Sequence, residues 1–289
     1  MSEKFLVREP TLELERDVVL TPQTRQMLSE AIGALKNHKI IYSDWGFGEV
    51  DPLGRNMIIN FYGPPGVGKT MAAEAFAGSL GRPYIHLGIS EIESRFVGET
   101  AKNISAAFQQ AAMEGAVLFF DEADTLLGAR LSSVTQGIDN EINAMRSTLL
   151  IELERFEGVV VFATNLAKNY DEAFVSRIRY HIEFTLPDIS ARQALWSRLL
   201  VPAIPLALPR EELVARAAEM TEGLSGRELR NIMRTALPRA ISLQEQEPRL
   251  RWEDIESAIE DVRLAKRNVG KVVRTSGSVE SARAALGIS

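Results

Sequence analysis

At 289 residues with 45% hydrophobic side chains, the chain can bury a large core, and global disorder is excluded. It has no cysteine, which removes disulfides, thiolate metal sites and a cysteine nucleophile and suits a reducing interior. The net charge of −6 argues against a general nucleic-acid binder.

The start, Met1-Ser2-Glu3-Lys4-Phe5, lacks the apolar core of a signal peptide, and no run is long and apolar enough to span a membrane. A cytoplasmic address with no membrane partner is expected. Thr21-Pro22 marks a helix start, with Met27, Leu28, Ile32 and Leu35 at helical spacing. The stretch from Ser43 to Gly54 reads as a loop. Strands at 57–62, 83–88, 116–121, 158–163 and 180–185 then alternate with helices at 68–80, 99–113, 139–155 and 189–200. Most of these strands are continuously apolar, which predicts an α/β fold with a parallel sheet covered by helices on both faces. Beyond Pro187 the strand signals vanish. Pro202, Pro205 and Pro209 break the chain, and helices near 210–221, 225–240 and 252–265 predict a smaller all-helical domain. The expected division is a helical segment and loop over 1–55, an α/β core over 56–201, a helical lid over 202–265 and a flexible tail over 266–289.

The densest chemical signal is Gly63-Pro64-Pro65-Gly66-Val67-Gly68-Lys69-Thr70. An apolar strand precedes it and Met71-Ala72-Ala73 opens a helix after it, the context in which a phosphate loop works. Glycines let backbone N–H groups converge on phosphate oxygens, and the helix N-terminus adds partial positive charge. Lys69 meets the β- and γ-phosphates, and Thr70 offers its hydroxyl to Mg²⁺. Gly63 through Met71 are thus the expected nucleotide-binding residues, with ATP and Mg²⁺ as cofactors.

Ala116-Val117-Leu118-Phe119-Phe120-Asp121-Glu122 is a buried strand ending in two carboxylates. Asp121 is suited to the Mg²⁺ shell and Glu122 to orienting and deprotonating the attacking water. Alone, such a pair reads equally well as a solvated turn. The next strand ends in Thr164-Asn165, whose amide can bond the γ-phosphate and the lytic water, or can simply end the strand.

From about Val18 to Ala265 the chain resembles the AAA+ ATPases, nearest to the AAA clade that remodels proteins. The resemblance rests on the phosphate loop, Asp121-Glu122, Asn165, a downstream arginine and Gly223-Leu224-Ser225-Gly226 opening a lid helix. It implies a P-loop sheet of order 5-1-4-3-2 and a ring, usually of six identical subunits, with ATP between neighbours. In Ser176-Arg177-Ile178-Arg179, the family's trans-acting arginine finger falls best on Arg177 and next on Arg179. Each can instead pair with a surface carboxylate. Relatives often carry a second arginine three residues before the first; Phe174 stands there, against a two-finger arrangement. Arg227 occupies the lid position where some AAA+ clades carry a phosphate sensor, or is a helix-surface arginine.

By the same resemblance, Phe96-Val97-Gly98 is a pore loop whose aromatic wedges against an extended polypeptide. The other reading is a Phe-Val pair in the core. Residues 130–139 would form a second pore-facing loop, and Trp45-Gly46 would flank the adenine. About fifty residues precede the first strand, so recruitment of the protein substrate is expected to use the ring face, the tail or an adaptor protein. The expected function is a chaperone-like, ATP-hydrolysing remodeller of proteins. Its rivals are a nucleotide-switched assembly factor that does not thread its partner and an AAA+ nucleic-acid motor or loader.

Overall fold

The apolar runs form the centre of a six-stranded sheet in the computed structural model, which describes residues 5–51, 54, 56–88, 100–128, 138–165, 170–242 and 247–269. The strands are β1 (Val7–Arg8), β2 (Met57–Tyr62), β3 (Tyr84–Gly88), β4 (Val117–Asp121), β5 (Val159–Thr164) and β6 (Tyr180–Glu183). Their spatial order is β1-β3-β4-β5-β2-β6. The five strands from β2 to β6 are parallel and, counted among themselves, run 5-1-4-3-2 as expected. The edge strand β1 is an addition. It pairs antiparallel with β3, and two residues are too short a run to stand out in the sequence.

Alternation along each strand sends side chains to opposite faces. Ile58, Leu118, Phe120, Val160 and Phe162 pack under helices Thr100–Glu114 and Ile138–Arg155, around Phe108, Leu149 and Leu153. Ile59, Phe61, Phe119 and Val161 pack against Leu28 of helix Pro22–Lys36 and Phe76 of helix Lys69–Leu80. Thr21 caps the first of these helices by accepting from the Thr24 amide, and Pro22 begins it. The stretch from Ser43 to Gly54, read as a loop, contains the helical turn Phe47–Glu49 and the end of a second, Ile40–Asp44.

A third core gathers Leu213, Leu229, Ile232, Ile255 and Ile259 from helices Arg210–Met220, Gly226–Ser242 and Trp252–Val269. It also takes in Trp196 and Leu200, so helix Ile189–Leu199 packs with this helical body, ahead of the division expected at 201. The Trp196 indole donates to Thr221 Oγ1 at 3.0 Å, and Arg192 donates to the Ala218 carbonyl at 2.7 Å. The final helix continues to Val269, past the tail boundary expected at 266, because Lys266 is anchored on Gly223 O and Glu228. Among the described residues, no helix is long and apolar enough to cross a membrane.

Candidate nucleotide site

Parallel pairing brings the C-terminal ends of β2, β4 and β5 to one edge of the sheet, with Tyr62 opposite Thr164. Open α/β sheets bind ligands at such an edge. Gly63 leaves β2 with φ 144°, and a Cβ there would lie 1.9 Å from the Phe184 carbonyl oxygen. Gly66 has φ 81°, and its Cβ would lie 2.8 Å from Ser225 Oγ and 2.9 Å from Arg227 Cβ. Both positions therefore require glycine. Gly68 begins the helix that opens with Lys69, Thr70 and Met71.

Lys69 is buried, and its ammonium donates to Gly63 O at 2.7 Å, Pro64 O at 2.9 Å and Asn165 Oδ1 at 3.0 Å. It thereby ties the loop to the end of β5. Burial holds its pKa below the ordinary lysine value, against the attraction of Asp121 and Asp124, while Arg227 adds repulsion. Thr70 Oγ1 donates to Asp121 Oδ2 at 2.9 Å. Burial pushes the Asp121 carboxyl up. Hydrogen bonds from His86, Thr70 and the Glu122 amide outweigh it and bring the group below the usual carboxylate range.

Glu122 is exposed and has φ 55°, a conformation that costs an L-residue about 1–2 kcal/mol. Its amide donates to Asp121 Oδ1 at 3.0 Å, so the turn that carries this strain also directs the two carboxylates. Backbone strain of this kind gathers at functional sites. The Asn165 backbone N–H donates to both Asp124 oxygens, at 3.0 and 3.2 Å. Behind it, Thr164 Oγ1 meets the Tyr170 hydroxyl at 2.6 Å, and buried Asn60 donates to that hydroxyl at 3.2 Å.

Sequence reasoning missed His86, Asp124 and the Tyr170–Thr164–Asn60 group. Asp124 stood within Asp121-Glu122-Ala123-Asp124, and His86 interrupts an apolar strand. The pairing of β3 with β4 supplies the signal for His86: it lies opposite Phe119, two residues from Asp121 and on the same face.

The helical body meets the loop directly, since the Arg227 amide donates to the Gly66 carbonyl at 3.1 Å. Ser225 and Glu228 form a capping box at that helix start. Glu228 accepts from the Ser225 amide at 2.6 Å, and the Glu228 amide donates to Ser225 Oγ at 3.4 Å. The contact seats Arg227 beside Gly66 and within electrostatic reach of Lys69.

Arg177 and Arg179 lie apart from this assembly. The Arg179 amide donates to Ile58 O, five residues before Gly63 along β2. At about 3.3 Å per residue, that separates it from the loop by about 16 Å. Arg177 pairs with Glu154 and donates to Ala173 O at 2.6 Å, so it makes the surface ion pair named as the alternative to a finger. Arg179 stacks over Tyr180, 5.9 Å from the ring centroid. Both arginines line a cavity of about 610 Å³ with Tyr42, Phe47, Asp51 and Glu154. Tyr42 and Phe47, on either side of Trp45 and Gly46 in sequence, thus line this cavity, and Trp45 itself is 77% exposed. Phe96, Val97 and Gly98, and residues 130–137 of the second pore-facing loop, lie outside the described residues.

The donor set fits a nucleotide carrying Mg²⁺. Thr70 and Asp121 present hard oxygens to one point, and among the described residues no cluster of three or more His, Cys, Asp or Glu forms an all-protein metal cage. Mg²⁺ is held this way, by one or two protein oxygens together with substrate phosphates.

Comparison with known proteins agrees. Residues 59–186 match the model of the ATPase family associated with various cellular activities (AAA). The chain is 35% identical to a 26S proteasome regulatory subunit 7 homolog of Schizosaccharomyces pombe over 60% of this chain and 40% of that protein. It is 32% identical to an uncharacterised AAA family ATPase of Sinorhizobium fredii over 73% of this chain and 61% of that one. It thus spans less than two thirds of the length of either relative. The crystal structure of the FIGL-1 AAA domain in complex with ADP shares the fold, with a TM-score of 0.72, 22% identity, and coverage of 91% of this chain and 88% of that one. The chain carries an AAA domain over residues 59–186.

Proposed function

We propose that this protein is a cytoplasmic, Mg²⁺-dependent motor that hydrolyses ATP in a ring of identical subunits, six by family resemblance, and does work on a protein substrate. The observation that carries the proposal is the separation within one chain. Lys69, Thr70, Asp121, Glu122 and Asn165 converge at one end of the sheet, while Arg177 and Arg179 stand at the far end of β2. A guanidinium there serves a neighbour's ATP, not its own.

In this reading the loop amides and Lys69 bind the phosphates, and Asn165 orients the γ-phosphate and the attacking water. Glu122 takes a proton from that water as its oxygen attacks phosphorus and the bond to the ADP oxygen breaks. Thr70 and Asp121 would hold Mg²⁺, which would neutralise phosphate charge. Arg177 leaves Glu154 and meets the charge spreading over the neighbour's transferred phosphoryl group, with Arg179 as the second choice. Arg227 couples lid position to nucleotide through its contact with Gly66. The relative named as a proteasome regulatory subunit supports a protein substrate, and Phe96-Val97-Gly98 is the segment we assign to gripping it.

A substrate trap tests this. Glu122→Gln should bind ATP without turnover and retain a discrete protein from native lysate, whereas Lys69→Ala retains none. Retention of nucleic acid instead of protein would turn the reading toward a nucleic-acid motor. Full hydrolysis by Glu122→Gln would remove the assignment of the base.

A further inference from the structure

Three donors hold Asp121, and one of them, His86, has no role in the catalytic reading above. His86 lies in β3 with its ring stacked on Phe119, 4.9 Å between centroids and 14° between planes. The stack aims Nε2 at Asp121 Oδ2, 3.3 Å away, the same oxygen that Thr70 reaches at 2.9 Å. An ionised carboxylate only accepts, so the ring nitrogen is the donor. The Glu122 amide occupies Oδ1 at 3.0 Å. With donors on both oxygens, the carboxylate cannot swing about its terminal torsion. Stacking alone does not account for the residue, because phenylalanine would stack as well without burying a polar ring.

We propose that His86 is a positioning residue for the divalent cation: by donating its Nε2 proton to Asp121, it fixes the carboxylate beside the Thr70 hydroxyl in the orientation that receives the metal. The inference rests on the Mg²⁺–nucleotide reading of this site. It adds a residue that acts through Asp121 and does not touch phosphate. Removing such outer donors typically costs about 10–100-fold in metal affinity.

The test uses the full chain and a fluorescent ADP analogue, titrated first in EDTA and then with Mg²⁺. His86→Phe keeps the ring stack and deletes the donor. The expected result is unchanged metal-free nucleotide binding with a rise of about tenfold in the Mg²⁺ needed for half-maximal tightening. His86→Gln, which keeps an N–H donor, should recover most of that loss. In an Asp121→Asn background, His86→Phe should add no further shift, because the two act as one unit. Wild-type Mg²⁺ demand in His86→Phe would overturn the inference while leaving the nucleotide site intact, as would an equal shift in both backgrounds. A wild-type chain indifferent to Mg²⁺ would overturn both. Should His86→Phe fail to fold, His86→Gln decides: Mg²⁺ demand near wild type supports the donor role, and a tenfold rise sinks it.

Discussion

Replacing Lys69 by methionine separates what the ammonium does for folding from what it does for binding. The ammonium makes three hydrogen bonds, at 2.7, 2.9 and 3.0 Å, each a charge-assisted contact of about 1.5–3 kcal/mol. Against these stands the desolvation of a buried cation, itself several kcal/mol. The opposing contributions are of similar size, so the ligand-free Lys69→Met protein should melt within about 4 °C of wild type. Nucleotide at about 100 times Kd stabilises a binding protein by about 2.7 kcal/mol, which for a chain of this size is a rise of about 4–5 °C. Differential scanning fluorimetry with and without ATP should show that rise in wild type and none in the variant. An equal nucleotide-induced rise in Lys69→Met would refute the phosphate-binding role. A ligand-free drop beyond about 10 °C would make the lysine chiefly structural. The depressed pKa adds a signature. Between the folded value and the ordinary 10.5, the unfolded chain holds a proton that the folded chain has lost, so wild-type stability rises with pH there. Lys69→Met should lack that rise.

Arg177→Ala should lower hydrolysis by about 10³–10⁵ while leaving nucleotide affinity unchanged. Wild-type turnover per subunit should also climb with protein concentration, and a flat rate across dilutions that dissociate the oligomer would exclude a finger acting in trans. Gly66→Ala forces a Cβ against Ser225 and Arg227 at φ 81°. It should cost about 1–2 kcal/mol of stability and weaken ADP binding in a titration. Glu228→Gln keeps a capping acceptor but loses the charge that serves the Ser225 amide and Lys266, so it should melt below wild type at neutral pH. Burial raises the Glu228 pKa, but the Ser225 amide, Lys266 and the Ser225 hydroxyl pull it below its ordinary 4.5. Its stabilisation is therefore present above pH 4.5 and lost as pH falls through the folded value, so variant and wild type should converge in acid.

Local sequence settled much of this protein. The phosphate loop was legible because glycine, lysine and threonine at that spacing have one common use between a buried strand and a helix. The five parallel strands were legible because strands covered on both faces are continuously apolar, and Asp121-Glu122 because it ends such a strand. Strand order came through family resemblance, since periodicity fixes which residues are buried and not which strands are neighbours. Only the tertiary structure brought His86 to Asp121, Asp124 to the Asn165 amide and Tyr170 to Thr164. These contacts join residues 35, 41 and 6 positions apart through strand register and turn geometry. Packing likewise decided that helix Ile189–Leu199 sits with the helical body, because burying Trp196 on Thr221 and bonding Arg192 to the Ala218 carbonyl outweigh the chain break that the prolines announce. The separation of Arg177 and Arg179 from their own phosphate loop is also tertiary. It follows from the length of β2, which sets the Arg179 amide about 16 Å from the loop.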